Sequence, residues 1–109
     1  MARGDVVNQI TTGVGTGQII TYQPSGGVQV MVTACGVAGT NLLANHFLVG
    51  IYNGSSQAWM AISPPGHPTE NVEPDLFAMK IFIDNTNYFM AKNDSGNTRI
   101  MWFTGITTK

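Results

Sequence analysis

Residues 80–84 (KIFID) put Ile81 and Ile83 on one parity and Lys80, Phe82 and Asp84 on the other, the period-two pattern of a strand with one face buried. Residues 99–103 (RIMWF) break that pattern: Ile100 and Trp102 fill one parity and Met101 and Phe103 the other. Both faces of this last segment are apolar, so something has to cover the second one. Elsewhere, β-branched and aromatic residues fall in short runs separated by Gly, Asn, Asp, Ser and Pro. These runs predict strands over 6–12, 18–23, 28–36, 47–52, 57–62, 78–84, 87–92 and 98–107. Helical periodicity is confined to 41–47 (NLLANHF), which is too short and Asn-rich to hold a helix. About eight strands at this spacing predict an all-β chain, a single-domain antiparallel β-sandwich of jelly-roll-like form.

The turns have their own chemistry. PSGG (24–27) joins the second and third strands, with Pro presetting φ and Gly able to take positive φ. NGSS (53–56) predicts a tight hairpin of type I′, and DNTN (84–87) and NDSGN (93–97) predict two more. The last three strands therefore read as a terminal β-meander. SPPGHPTENVEPDL (63–76) holds four of the five prolines and three of the six acidic residues, so 63–77 is predicted to be a long loop. Residues 1–17 form an N-terminal arm whose Gly-rich end suits a turn or bulge, and one domain spans 1–109.

Strict alternation assigns Ile20, Tyr22, Val28, Val30, Val32, Val49, Ile51, Trp59, Met79, Ile81, Ile83, Tyr88, Met90, Ile100 and Trp102 to the core. It leaves Ile19, Met31, Leu48, Tyr52, Met60, Ile62, Phe82, Phe89, Met101 and Phe103 facing outward. An outward apolar set of this size marks an interface, unless bulges turn some of it inward. Composition favours the interface, because charged residues make up only 10% of the chain against about 25% in typical soluble domains. Phe82, Phe89, Met101 and Phe103 are accordingly the candidate interface residues, toward another subunit or a larger assembly. In the acidic loop, His67, Glu70, Glu73 and Asp75 are the candidate contact residues.

The charge balance narrows the partners. A net charge of −1, with five scattered basic residues, provides no footprint for nucleic acid. There is no basic amphipathic stretch for a membrane surface and no apolar run of the roughly 18 residues a membrane helix needs. The N-terminus lacks a signal-peptide core, so synthesis in a cytoplasm is expected. The lone Cys35 excludes an internal disulfide and lies in an apolar strand, which predicts a buried, unreactive thiol. Its parity is opposite to that of Val28, Val30 and Val32.

Catalytic signals are weak. GVGTGQ (13–18) lacks the third glycine and the following helix of a dinucleotide loop. RGD (3–5) has no secretion signal or presenting hairpin behind it. His67 with Glu70, Glu73 and Asp75 matches no metal-ligand spacing, and no nucleophile–base–orienter set emerges. No cofactor, metal or catalytic residue is expected. A small hydrolase would need a cleft that gathers His67 with acidic groups.

Two stretches carry a family likeness: TYQPSGGVQVMVTACGV, and the C-terminal MKIFIDNTNYFMAKNDSGNTRIMWFTGITTK. Pro24 and Gly26–Gly27, then Phe82, Asp84, Asn85 and Tyr88, the turn at 93–97, and finally Phe103, Gly105, Ile106, Thr108 and Lys109 follow its pattern. The chain thereby resembles small virion proteins of tailed bacteriophages, especially head decoration (cement) proteins. The resemblance implies a β-sandwich that oligomerises, often as a trimer, on the capsid exterior, with the major capsid protein of the phage head as partner. A different class remains open: a receptor- or carbohydrate-binding tip module of a tail or head fibre, in which Trp59 or Tyr52 would serve. The Pro-rich loop has no counterpart in the family pattern.

Overall fold

The structure, a computed structural model, describes residues 2–38, 47–62, 75–94 and 98–109. Eight strands follow in order: β1 (Val6–Val14), β2 (Ile19–Tyr22), β3 (Val30–Ala38), β4 (Phe47–Tyr52), β5 (Gln57–Ile62), β6 (Asp75–Ile83), β7 (Tyr88–Asn93) and β8 (Arg99–Thr107). They form two four-stranded sheets, β1–β8–β3–β6 and β2–β7–β4–β5, and every pairing is antiparallel. Two four-stranded antiparallel sheets with this strand order make a jelly roll, as the strand spacing predicted.

Only the β4–β5 connection stays within a sheet; every other one crosses between sheets. The predicted terminal meander is therefore wrong, because β6 and β8 lie in one sheet and β7 in the other. The turn at Asp84 is as tight as expected, with Asp84 Oδ1 accepting from the Thr86 and Asn87 amides at 2.9 and 2.8 Å. Such local bonding serves a sheet crossing as well as a hairpin. At the β4–β5 hairpin Gly54 has a φ of 94°, and among the described residues no residue type but glycine takes positive φ. One positive φ, at the first central residue, is the pattern of a type II′ turn rather than the predicted I′.

Bulges set the faces. Val32 pairs with Gly105 and Ala34 with Thr104, so Thr33 is an extra residue relative to β8. Its hydroxyl donates to the Thr104 carbonyl at 3.3 Å. The insertion flips the parity of β3, bringing Cys35 and Val37 to the same buried face as Val30 and Val32. A second bulge near Gly13 does the same for Val14 in β1. A third, at Met60, turns Trp59 outward, against the sequence expectation.

Val7, Val30, Val32, Cys35, Val37, Phe47, Val49, Ile81, Ile83, Phe89, Met101 and Phe103 fill the space between the sheets. β8 alternates regularly, but in the opposite sense to the expectation: Met101 and Phe103 are buried, while Ile100 and Trp102 face out. β7 is inverted too, with Phe89 inward and Tyr88 and Met90 on the outer side. Both strands are apolar on both parities, so local pattern could not choose. The choice follows from Phe103 meeting Phe89 and Tyr22 across the core, each at a ring-centroid distance of 5.0 Å. The strand β6 begins at Asp75, two residues before the predicted end of the Pro-rich loop, and β1 occupies 6–14 of the predicted arm.

Candidate interaction surface

On the outer face of the β1–β8–β3–β6 sheet, direct register partners line up. Val6 pairs with Ile106, Ile106 with Met31, and Met31 with Phe82. This row crosses all four strands, roughly 14 Å at the usual strand spacing. A second row runs from Ile10 to Trp102 and on to Gly36. Between them sit Asn8, Thr104, Ala34 and Ala78, which are small or uncharged. Ile10 at 73%, Val6 at 70%, Phe82 at 55% and Ile100 at 40% are exposed, while Met31, Trp102 and Ile106 are half-buried. Lys80 is the one charged side chain at an outward position among the described residues of these strands.

The outer face of the β2–β7–β4–β5 sheet is also apolar, though more aromatic. Met90 is buried there without belonging to the central core, its methyl lying over Gly50. A Cβ at position 50 would run into the Ala58 carbonyl and lie 2.9 Å from Met90 Cε, so glycine makes the trough that Met90 fills. Beside it, Tyr52 and Tyr88 pack edge to face at 5.4 Å, and Ile19, Trp59 and Met60 are exposed. Lys92 on this sheet lies 4.0 Å from the Asp94 carboxylate.

Of the four predicted interface residues, Phe82 stands on the outer face. Phe89, Met101 and Phe103 are instead core residues, each at most 2% exposed, and their burial corrects the outward assignment. His67, Glu70 and Glu73 lie outside the described residues; Asp75 opens β6, its backbone pairing with Val37. The sequence reading passed over Val6 and Ile10, because their partner across the sheet is the C-terminal strand. It also passed over Asn93, buried at the sandwich end, whose Nδ2 donates to the Val14 carbonyl at 2.7 Å and ties the two sheets. Arg99, opposite Val14, is 3% exposed, and its Nε and Nη2 have no hydrogen-bond partner among the described residues. Burial lowers the pKa of its guanidinium. Burial also pushes the Cys35 thiol up to about 12, which suits an inert side chain.

The described surface has a shallow depression of about 310 Å³ between the β2–β3 loop, the β6–β7 turn and Lys109. Its one acidic side chain, Asp84, already accepts two amides of the turn. Among the described residues no three His, Cys, Asp or Glu side chains gather as a metal site, and no helix is long and apolar enough to cross a membrane.

No protein-family model matches the chain, and no curated protein matches it. Solved structures do. The Drosophila NLP core, whose crystal structure concerns pentamer formation and histone binding, superposes with a TM-score of 0.59 at 11% identity, over 95% of this chain and 98% of that one. A pentameric capsid protein isolated from metagenomic phage sequences superposes with a TM-score of 0.50 at 12% identity, over 91% of this chain. The chain spans 59% of that capsid protein's length, and 60% in its second structure, solved by iodide phasing. At such identities the likeness shows a shared fold, one that includes a pentameric phage capsid protein and a histone-binding pentamer.

Proposed function

We propose that this chain is a homo-oligomeric structural protein of a bacteriophage particle, acting without catalysis as a decoration (cement) protein on the capsid exterior. The observation that carries the reading is the uncharged apolar row Val6–Ile106–Met31–Phe82 on the outside of a jelly roll. A surface of that kind needs a protein partner. The pentameric phage capsid protein of the same fold supports a particle, and the C-terminal sequence likeness supports the decoration role. A protein that binds the assembled shell and not its dissociated subunits stabilises the shell by mass action, and symmetry multiplies modest contacts through avidity. Major capsid protein is the partner in this reading. We favour a ring of five, after the neighbours of this fold, over the trimer implied by the sequence resemblance. Histone-like partners find little here, with a net charge of −1.

Quantitative mass spectrometry and reconstruction of particles containing the chain test this. Shell-matched copy number, and heads that lose heat or dilution resistance without the protein, are expected. A few copies at a fibre tip would instead favour the glycan- or receptor-binding reading, to which Trp59 at 36% exposure, in the strand paired with Tyr52, lends a specific feature. Absence from particles would overturn both.

A further inference from the structure

We infer that subunits join head to tail: the outer face of the β1–β8–β3–β6 sheet of one copy packs on the outer face of the β2–β7–β4–β5 sheet of the next. This rests on the homo-oligomer reading above and specifies its contact. Among the described residues, the exposed large apolar side chains divide between the two sheets. Val6, Ile10, Phe82 and Ile100 lie on the first, and Ile19, Trp59 and Met60 on the second. A twofold contact would use one patch twice and leave the other in water. A head-to-tail contact covers both and holds each subunit on two sides, in a ring where the rotation between subunits closes and in an open stack where it does not.

Charge points the same way. The first face carries Lys80 with no acidic side chain at an outward position of the described strands. Packed against itself, that face would bring two uncompensated ammonium groups into one desolvated interface. The second sheet carries Lys92 with the Asp94 carboxylate 4.0 Å away, so the mixed contact has one acid for its two ammonium groups where the self-contact has none. The two faces also differ in relief. The first has small residues, Ala34 and Ala78, between its apolar rows, and the second has exposed Trp59 and Met60 at the bulge of an edge strand.

The test uses two double variants of the full chain, Ile10→Lys/Phe82→Lys on one face and Trp59→Lys/Met60→Lys on the other. Native mass spectrometry and sedimentation velocity read their assembly, and far-UV circular dichroism confirms the β fold. Each variant alone is expected to lose the ring and run as a monomer. Mixed one to one they should form a heterodimer and nothing larger, because a single intact pair of faces remains. If a lysine pair unfolds the chain, Phe82→Ser and Trp59→Ser make the same comparison. Wild type that assembles while the mixture gives no heterodimer, or while either variant assembles normally, overturns the face assignment and leaves the particle reading standing. Wild type that stays monomeric at its highest soluble concentration overturns the oligomer as well, with location on the particle decided separately by the reconstruction.

Discussion

The rings of Phe89 and Phe103 meet across the sandwich with centroids 5.0 Å apart and planes inclined by 39°, one residue from each sheet. Both are buried, so neither is available to a partner in the folded chain. Phe82, one strand over from β3, is the opposite case: a phenylalanine of the same sheet as Phe103 that faces solvent. Replacing Phe103 with alanine should cost about 3–5 kcal/mol of stability through the lost ring and the cavity left behind. Phe82→Ala should move unfolding of the dissociated subunit by no more than about 0.5 kcal/mol and weaken assembly instead. Urea unfolding at dissociating concentrations, set beside sedimentation, separates the two effects.

Cys35 makes alkaline stability a readout of burial. The folded thiol stays neutral to about pH 12, whereas in the unfolded chain it ionises near ~8.5. The unfolded state therefore loses its proton first. The stabilisation is complete below ~8.5 and declines as pH rises toward 12, by up to about 1.4 kcal/mol per pH unit. Tyr22, whose pKa burial also raises, adds a decline of the same sign at higher pH. Denaturation curves across that range should flatten in Cys35→Ala relative to the wild-type chain. Native protein should react with thiol reagents only as fast as it opens.

Asn93 is the polar clamp between the sheets. Asn93→Ala leaves the Val14 carbonyl without the side-chain donor at 2.7 Å and should destabilise by about 1–3 kcal/mol. Hydrogen exchange would show the change first at the β1 end, at the Gly17 amide that donates to the Asn93 carbonyl.

Gly50→Ala puts a methyl against the Ala58 carbonyl and the Met90 methyl. Overpacking of this kind is expected to lower stability by about 1–3 kcal/mol. Trimming Met90 to alanine in the same chain should not restore it, because the Ala58 obstacle is backbone.

Arg99 tests whether a desolvated guanidinium helps the fold. Arg99→Met keeps the stem and removes donors that have no partner among the described residues, so thermal unfolding should be unchanged or rise, by up to about 2 kcal/mol. A loss of more than that would assign the guanidinium a structural bond.

Strand positions were legible because their signals are local. Runs of β-branched residues ended by Asn-Gly or Pro-Ser-Gly-Gly place β4 and β5 at their observed bounds and most other ends within two residues. Low charge likewise announced surface that wants a partner, and Phe82 was found by simple alternation with Ile81 and Ile83. Which phenylalanines fill the core was not legible. Phe89 lies between Tyr88 and Met90, and Phe103 follows Met101 and Trp102 on opposite parities, so the sequence pattern does not say which face is buried.

Composition and turn chemistry alone determined that this chain is all-β, built of short strands in a sandwich, with apolar surface left over. The tertiary structure decided which surface that is. A bulge is one extra residue measured against a neighbouring strand, so Thr33 can be recognised as extra only when β3 lies beside β8, with Thr104 71 residues on in the chain. That insertion brings Cys35 inward and leaves Met31 between Ile106 and Phe82 on the outer face. Alternation along a strand has period two and no memory of its partners; the face it presents is a property of the pairing.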